Sequence, residues 1–184
     1  MFRTLCFLAL SVTLVACSSS SKMLAGRVAG AHLPLHDSVI LLGVIDGTDR
    51  AGEAVEGSGN ALQTVLRGQL KAREWDVLSI ETTSRRLGFA KANELRMNYM
   101  IESHVIEWHE AELEYRDEGD YCAVEFWLWD VRDETAVAYG RSAREGGTLV
   151  DVNSGTHRLV EPLVRDLIAR VLDGGELDSL PEAP

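Results

Sequence analysis

The chain has 184 residues, 18 of them Lys or Arg and 29 Asp or Glu, for a formal net charge of −11 with 46% hydrophobic and 26% charged content. Those proportions describe one folded domain and exclude a wholly disordered chain or a multi-span membrane protein; a pI near 4.9 removes the counterion release that drives nucleic-acid binding, so DNA and RNA are set aside as partners. Three Cys, at 6, 17 and 122, are too few and too scattered for a disulfide framework or a CxxC zinc site.

Residues 1–16 carry Arg3 and then an apolar run from Leu5 to Val15, a signal-peptide pattern too short to remain as a spanning helix. Leu14-Val15-Ala16-Cys17 resembles the lipobox of bacterial lipoproteins. The resemblance implies cleavage before Cys17, diacylglycerol on its sulfur and a palmitate-type acyl chain on the new amino group. An ordinary secretory signal and an amino-terminal membrane helix are the alternatives. Ser18 stands where Asp would retain a lipoprotein at the inner membrane, which points to the outer membrane and its periplasmic face. Losing residues 1–16 leaves 168 residues and a net charge of −12. Residues 17–36, with serines at 18–21 and no clear period from Lys22 to Gly30, read as the lipidated Cys and a flexible tether of roughly 20 Å reach.

Residues 37–175 read as a single globular periplasmic domain. Ser38–Ile45 is a nearly continuous apolar run, as in a strand buried on both faces. Asn60–Arg73 sets Leu62, Val65, Leu66 and Leu70 on one helical face, with Ser58 or Asn60 as cap. Trp75–Ile80 predicts a second strand, and Arg85–Leu95 a helix with Leu87, Ala90 and Phe89 inward. The period then becomes two: Tyr99–His109, Tyr121–Val131 and Thr135–Thr148 predict three long strands. Leu159, Leu163, Leu167 and Val171 return to helical spacing before Gly174, and Pro162 requires that helix to begin near Glu161 or to bend there. The expected class is α+β or α/β: a mixed sheet of about five strands, order β-α-β-α-β-β-β-α, with helices packed on it. The first three strands lie parallel, the last three form an antiparallel meander, and residues 176–184 read as a disordered tail.

Candidate chemistry is sparse. His104, Glu107 and His109 come close to the HxxEH zinc motif, but that motif needs a helix, and in a regular strand residues 104 and 109 point to opposite sides. His32 and His36 flank Pro34, which precludes a regular helix there. Gly57-Ser58-Gly59 opens a helix without completing a dinucleotide or P-loop fingerprint, so capping is the expected role. Cys122 shares a strand face with Val124, Phe126 and Leu128 and reads as a small buried hydrophobe. No GxSxG elbow or triad context occurs. Seven acids lie between Glu107 and Asp120, interleaved with Trp108 and Tyr115; Trp108, Glu110, Glu112, Glu114 and Tyr115 are the candidate interaction residues of that hairpin tip. Tyr121, Trp127 and Trp129 oppose Phe126 across their strand, so either helices cover both faces of the sheet or one face is an exposed aromatic surface.

The lipobox, Leu33-Pro34-Leu35, Gly57-Ser58-Gly59, Ala90-Lys91-Ala92, Ile106-Glu107-Trp108 and the Val124–Asp130 strand together resemble an uncharacterised proteobacterial lipoprotein family, domain of unknown function 4823. Where that family carries Trp-Glu-Asp and a second Trp, this chain has Trp108-His109-Glu110 and Tyr115. The element order is also similar to periplasmic domains of the curli-secretion lipoprotein, of peptidoglycan-synthase activators and of the Tol-system translocation protein. Those resemblances imply a non-catalytic lipoprotein that binds another envelope protein, with no cofactor or metal and with the oligomeric state left open. The alternative is a cell-wall hydrolase, or a protein that binds a small ligand or metal through the His104–His109 region.

Overall fold

Val39, Ile40, Leu41 and Leu42 are buried, as an apolar run at the centre of a two-faced sheet must be. The computed structural model describes residues 21–110, 119–146 and 156–181. Its elements run β1 (Ser21–Val28), β2 (Ser38–Leu41), α1 (Ser58–Lys71), β3 (Asp76–Ser79), α2 (Arg85–Leu95), β4 (Tyr99–His109), β5 (Tyr121–Asp130), β6 (Thr135–Glu145), α3 (His157–Asp173) and β7 (Glu176–Leu177). They build one mixed sheet of seven strands in the order β3-β2-β4-β5-β6-β1-β7. As expected, β2 pairs parallel with both β3 and β4, and β4, β5 and β6 form the antiparallel meander.

The α+β class stands, with two strands more than expected. Residues 21–28, expected as tether, are β1, antiparallel to β6 from Ser21↔Arg144 to Arg27↔Ala138. Glu176–Leu177, expected in a disordered tail, pair parallel with Arg27 and Val28. Neither segment is a strong strand former by itself. β1 pairs the backbone donors and acceptors that the long β6 would otherwise leave open, and β7 covers only the end of β1.

Three helices cover the sheet unequally. On one face α1 and α3 bury Leu62, Leu66, Leu70, Val160, Leu163, Val164, Leu167, Ile168 and Val171 against Val39, Leu41, Cys122, Val124, Phe126 and Leu128. An Arg73–Asp173 ion pair, at 2.9 and 3.0 Å, ties the ends of these helices together. On the other face α2 packs over β2 and β4, and Phe89, Ala92 and Met97 meet Ile40, Leu42, Met100 and Trp129. Gly88 permits that approach: a Cβ there would lie 2.5 Å from Leu42 Cδ2 and 2.7 Å from Met100 Sδ. The helix is consequently rotated from the expected pose. Leu87 is 52% exposed and Ala90 is exposed, while Gly88, Phe89 and Ala92 point inward. The α3 helix starts at His157 and runs through Pro162, rather than starting near Glu161.

Cys122 is fully buried, and burial alone pushes its thiol up to about 12. Cys122→Ala is expected to cost about 1 kcal/mol in urea unfolding, the penalty for deleting one small buried group.

Candidate functional site

The β4 strand carries a bulge between Val105 and Glu107. A bulge adds one residue to one strand, and with a side-chain period of two this flips everything that follows to the other face. His104 lies opposite Glu125, Glu107 opposite Ala123 and His109 opposite Tyr121, and these three β5 partners share one face. His104, Glu107 and His109 therefore stand on the same face of the sheet, contrary to the regular-strand expectation. Burial and then the nearby Glu107 carboxylate push the Tyr121 hydroxyl up, as that placement requires.

The same flip turns Trp108 to the opposite face. It is 1% exposed and belongs to the core beneath α1 and α3, so it is no part of a surface tip. Its indole N–H donates to Glu110 Oε1 at 3.2 Å. Glu110 itself is exposed. Of the other candidate interaction residues, Glu112, Glu114 and Tyr115 lie outside the described residues, as does the lipidation candidate Cys17. His32 and His36 are both exposed on the segment leading into β2.

The bulged face holds a polar cluster. Arg85 of α2 donates from Nε to Glu102 Oε2 at 2.7 Å and from a second nitrogen to Glu102 Oε1 at 3.2 Å. His104 lies between two carboxylates, its Nε2 4.0 Å from Glu102 Oε1 and its Nδ1 3.5 Å from Glu125 Oε1. The Tyr139 hydroxyl donates to Glu125 Oε2 at 3.0 Å. Aromatic rings floor the cluster: Trp127 lies 5.5 Å from His104 and 5.1 Å from Tyr139, and the Arg85 guanidinium sits 4.5 Å above Trp129. Trp127 and Trp129 are buried, with Leu177 and Leu180 packed on their cluster, so this part of the second face is closed by α2 and the chain end. Composition hid these residues, but Glu102 and Glu125 are acids in the interior of long strands rich in apolar residues, the signal that marks a paired buried charge.

Each charged member of the cluster faces a partner, which makes it a latch between α2 and the sheet. Among the described residues, no group of three His, Cys, Asp or Glu side chains is disposed to hold a metal ion. The Gly57-Ser58-Gly59 turn is likewise filled from within. Gly57, at φ 84°, opens α1, and the Asp46 carboxylate accepts from the Gly57 and Gly59 amides at 3.1 and 2.7 Å. The anion that a helix amino terminus attracts is here a side chain of the same protein.

Burial and the Glu125 carboxylate push Tyr139 up to about 12 from an ordinary 10.0, and burial pushes Cys122 from 9.0 to about 12. Both groups are neutral in the fold and ionise more readily when unfolded. Their stabilisation is full below the unfolded values and is lost as pH climbs toward the folded ones. Thermal unfolding is therefore expected to give a falling Tm between about pH 9 and about pH 12, with a shallower fall in a Tyr139→Phe, Cys122→Ala variant.

Among the described residues, other surfaces lie outside the cluster. A shallow groove of about 430 Å³ runs over the outer side of α2, lined by Ile80, Thr82, Leu87, Ala90, Lys91 and Glu94. Among the described residues the sheet also has free edges, at β3 on one side and along β1 on the other, where β7 pairs only with Arg27 and Val28.

No family model matches the chain, so its likeness to domain of unknown function 4823 rests on the motifs alone. No curated protein matches it either. Solved structures do. The PelC dodecamer from Paraburkholderia phytofirmans is 17% identical, with a TM-score of 0.63 over 84% of this chain and 99% of that one. Lipoprotein GNA1162 from Neisseria meningitidis is 12% identical, with a TM-score of 0.52 over 72% of this chain and 95% of that one. At these identities the likeness is one of fold, a fold found in a bacterial lipoprotein and in the subunit of a twelve-membered assembly.

Proposed function

We propose that the chain is a lipid-anchored envelope protein, held at the periplasmic face of the outer membrane, that acts without catalysis as a docking module for another envelope protein. The observation that carries this reading is the position of Leu14-Val15-Ala16-Cys17, four residues ahead of the first strand of a fold shared with a lipoprotein. The internal pairing of Glu102, His104, Glu125 and Tyr139 favours a structural use of these groups over a catalytic one. Photo-crosslinking in the periplasm from Leu87 and Leu78, both exposed, tests it. The expected result is a discrete adduct with one envelope protein. Hydrolysis of cell-wall material by the purified chain, abolished by His104→Ala, would refute the non-catalytic reading.

A second reading is self-association, favoured by the likeness to PelC, whose structure is a dodecamer. A closed ring needs two different surfaces on each subunit, and the free β3 and β1 edges lie at opposite sides of the sheet. Light scattering of the lipidated chain in detergent separates the two: a single mass several times that of the monomer favours the ring.

A further inference from the structure

The β1 strand begins at Ser21, so only residues 18–20 separate it from Cys17. Even fully extended, four residues reach at most about 14 Å. The strand edge that follows the anchor is therefore held at the bilayer surface, with none of the freedom of a long tether.

That edge is basic, although the chain as a whole is acidic. Strands β1 and β6 together carry Lys22, Arg27, Arg141 and Arg144 against the single acid Glu145, in a protein whose overall charge is strongly negative. Lys22 and Arg141 are exposed, and Arg144 faces Asp166 at 4.0 Å. Met23 is 40% exposed and Leu24 52%, adjacent apolar residues on opposite faces of the strand. Among the described residues, the outer side of β1 is unpaired until Arg27, where β7 begins pairing. Apolar side chains flanked by Lys and Arg, directly after a lipid attachment, fit the boundary between acyl chains and anionic or zwitterionic headgroups.

We infer that β1, from Lys22 to Leu24, lies edge-on against the bilayer that holds the Cys17 lipid, so that the domain is docked in a fixed orientation with its β3 edge directed away from the membrane. This rests on the lipidation of Cys17. The occupant of the edge is the lipid surface, and the three-residue spacing decides for it.

The test uses the full lipidated chain in vesicles of phosphatidylethanolamine and phosphatidylglycerol that contain a headgroup-linked nitroxide quencher. An environment-sensitive fluorophore is placed by Met23→Cys, Leu24→Cys or Leu78→Cys. Cys122 is fully buried and stays unlabelled. Leu78 is the matched reference, a 39% exposed leucine on the β3 edge. Five interstrand spacings separate the edges by roughly 24 Å, so quenching is expected to be at least about threefold stronger at positions 23 and 24 than at 78. Edge-on docking requires both labels to respond. Quenching of only one of them, or of all three equally, overturns the proposal, as does protection of both by pairing with a second copy. A chain that takes up no palmitate and does not float with the vesicles overturns the anchor reading as well. A chain that floats with positions 23 and 24 unquenched overturns the docked orientation alone.

Discussion

Cys17→Ser is expected to abolish palmitate labelling and to move the protein from the membrane fraction to the soluble one, or to leave it uncut. The magnitude follows from the anchor. At ~0.8 kcal/mol per buried CH₂ a single myristoyl-sized chain binds only marginally, whereas the three chains expected on a lipobox Cys exceed the two-signal threshold for stable anchoring. A serine oxygen at the same place does not become the thioether-linked diacylglycerol, so all of that affinity disappears together. Among the described residues, no helix is long and apolar enough to cross a membrane, and the exposed apolar residues of β1 nearest the anchor are only Met23 and Leu24. Undiminished labelling and membrane fractionation of the variant would refute the lipobox assignment outright.

Trp108→Ala is expected to destabilise the domain by about 3–5 kcal/mol in urea unfolding, a large part of the roughly 5–15 kcal/mol that holds a domain of this size together. Trp108 is among the largest fully buried side chains and belongs to the same core cluster as Cys122, its neighbour across the β4–β5 pair. Truncation leaves a cavity in the layer between sheet and helices and removes the N–H that Glu110 accepts. Trp108→Phe, which keeps most of the packing volume, should cost visibly less. A surface contact residue would change stability by no more than about 0.5 kcal/mol, so the experiment separates a core tryptophan from an exposed hairpin anchor.

The helices and the meander were legible in the residues because their signals are local. Leu62, Leu66 and Leu70 repeat at the helical period within a single element and are all buried. β4 appears over the span that its alternation predicts, and β5 and β6 start where expected, β5 ending one residue early and β6, expected to Thr148, ending at Glu145. The buried fate of Cys122 followed from its strand neighbours in the same way. The α2 helix shows where local reading stops. Its extent was legible, but Leu87 and Phe89 are both apolar, and the choice between them depended on how closely Gly88 lets the helix approach Leu42 and Met100.

The candidate site was less legible, for a geometric reason. A strand reverses its facing at every residue, so the single bulge between Val105 and Glu107 was enough to gather His104, Glu107 and His109 on one face and to send Trp108 into the core. Nothing in Val105-Ile106-Glu107 marks that bulge locally. It accompanies the chain after β2, which follows β4 through bridges at Ile45↔His104 and Thr48↔Glu107. Arg85 and Glu102 are likewise separated in sequence and meet only when α2 lies on β4.

The local periods, a mixed sheet with helices packed on it and the lipobox context of Cys17 were thus legible in the residues, since each depends on positions close to one another. Only the tertiary structure decided that residues 21–28 are a strand rather than a tether, because their partners lie on β6, more than a hundred positions away in the chain. The same packing decided which aromatic residues are core and how few residues separate Cys17 from the first strand. Backbone hydrogen bonds at a sheet edge and the space beneath a helix are properties of the assembled layers, and the residues that supply them carry no local mark of it.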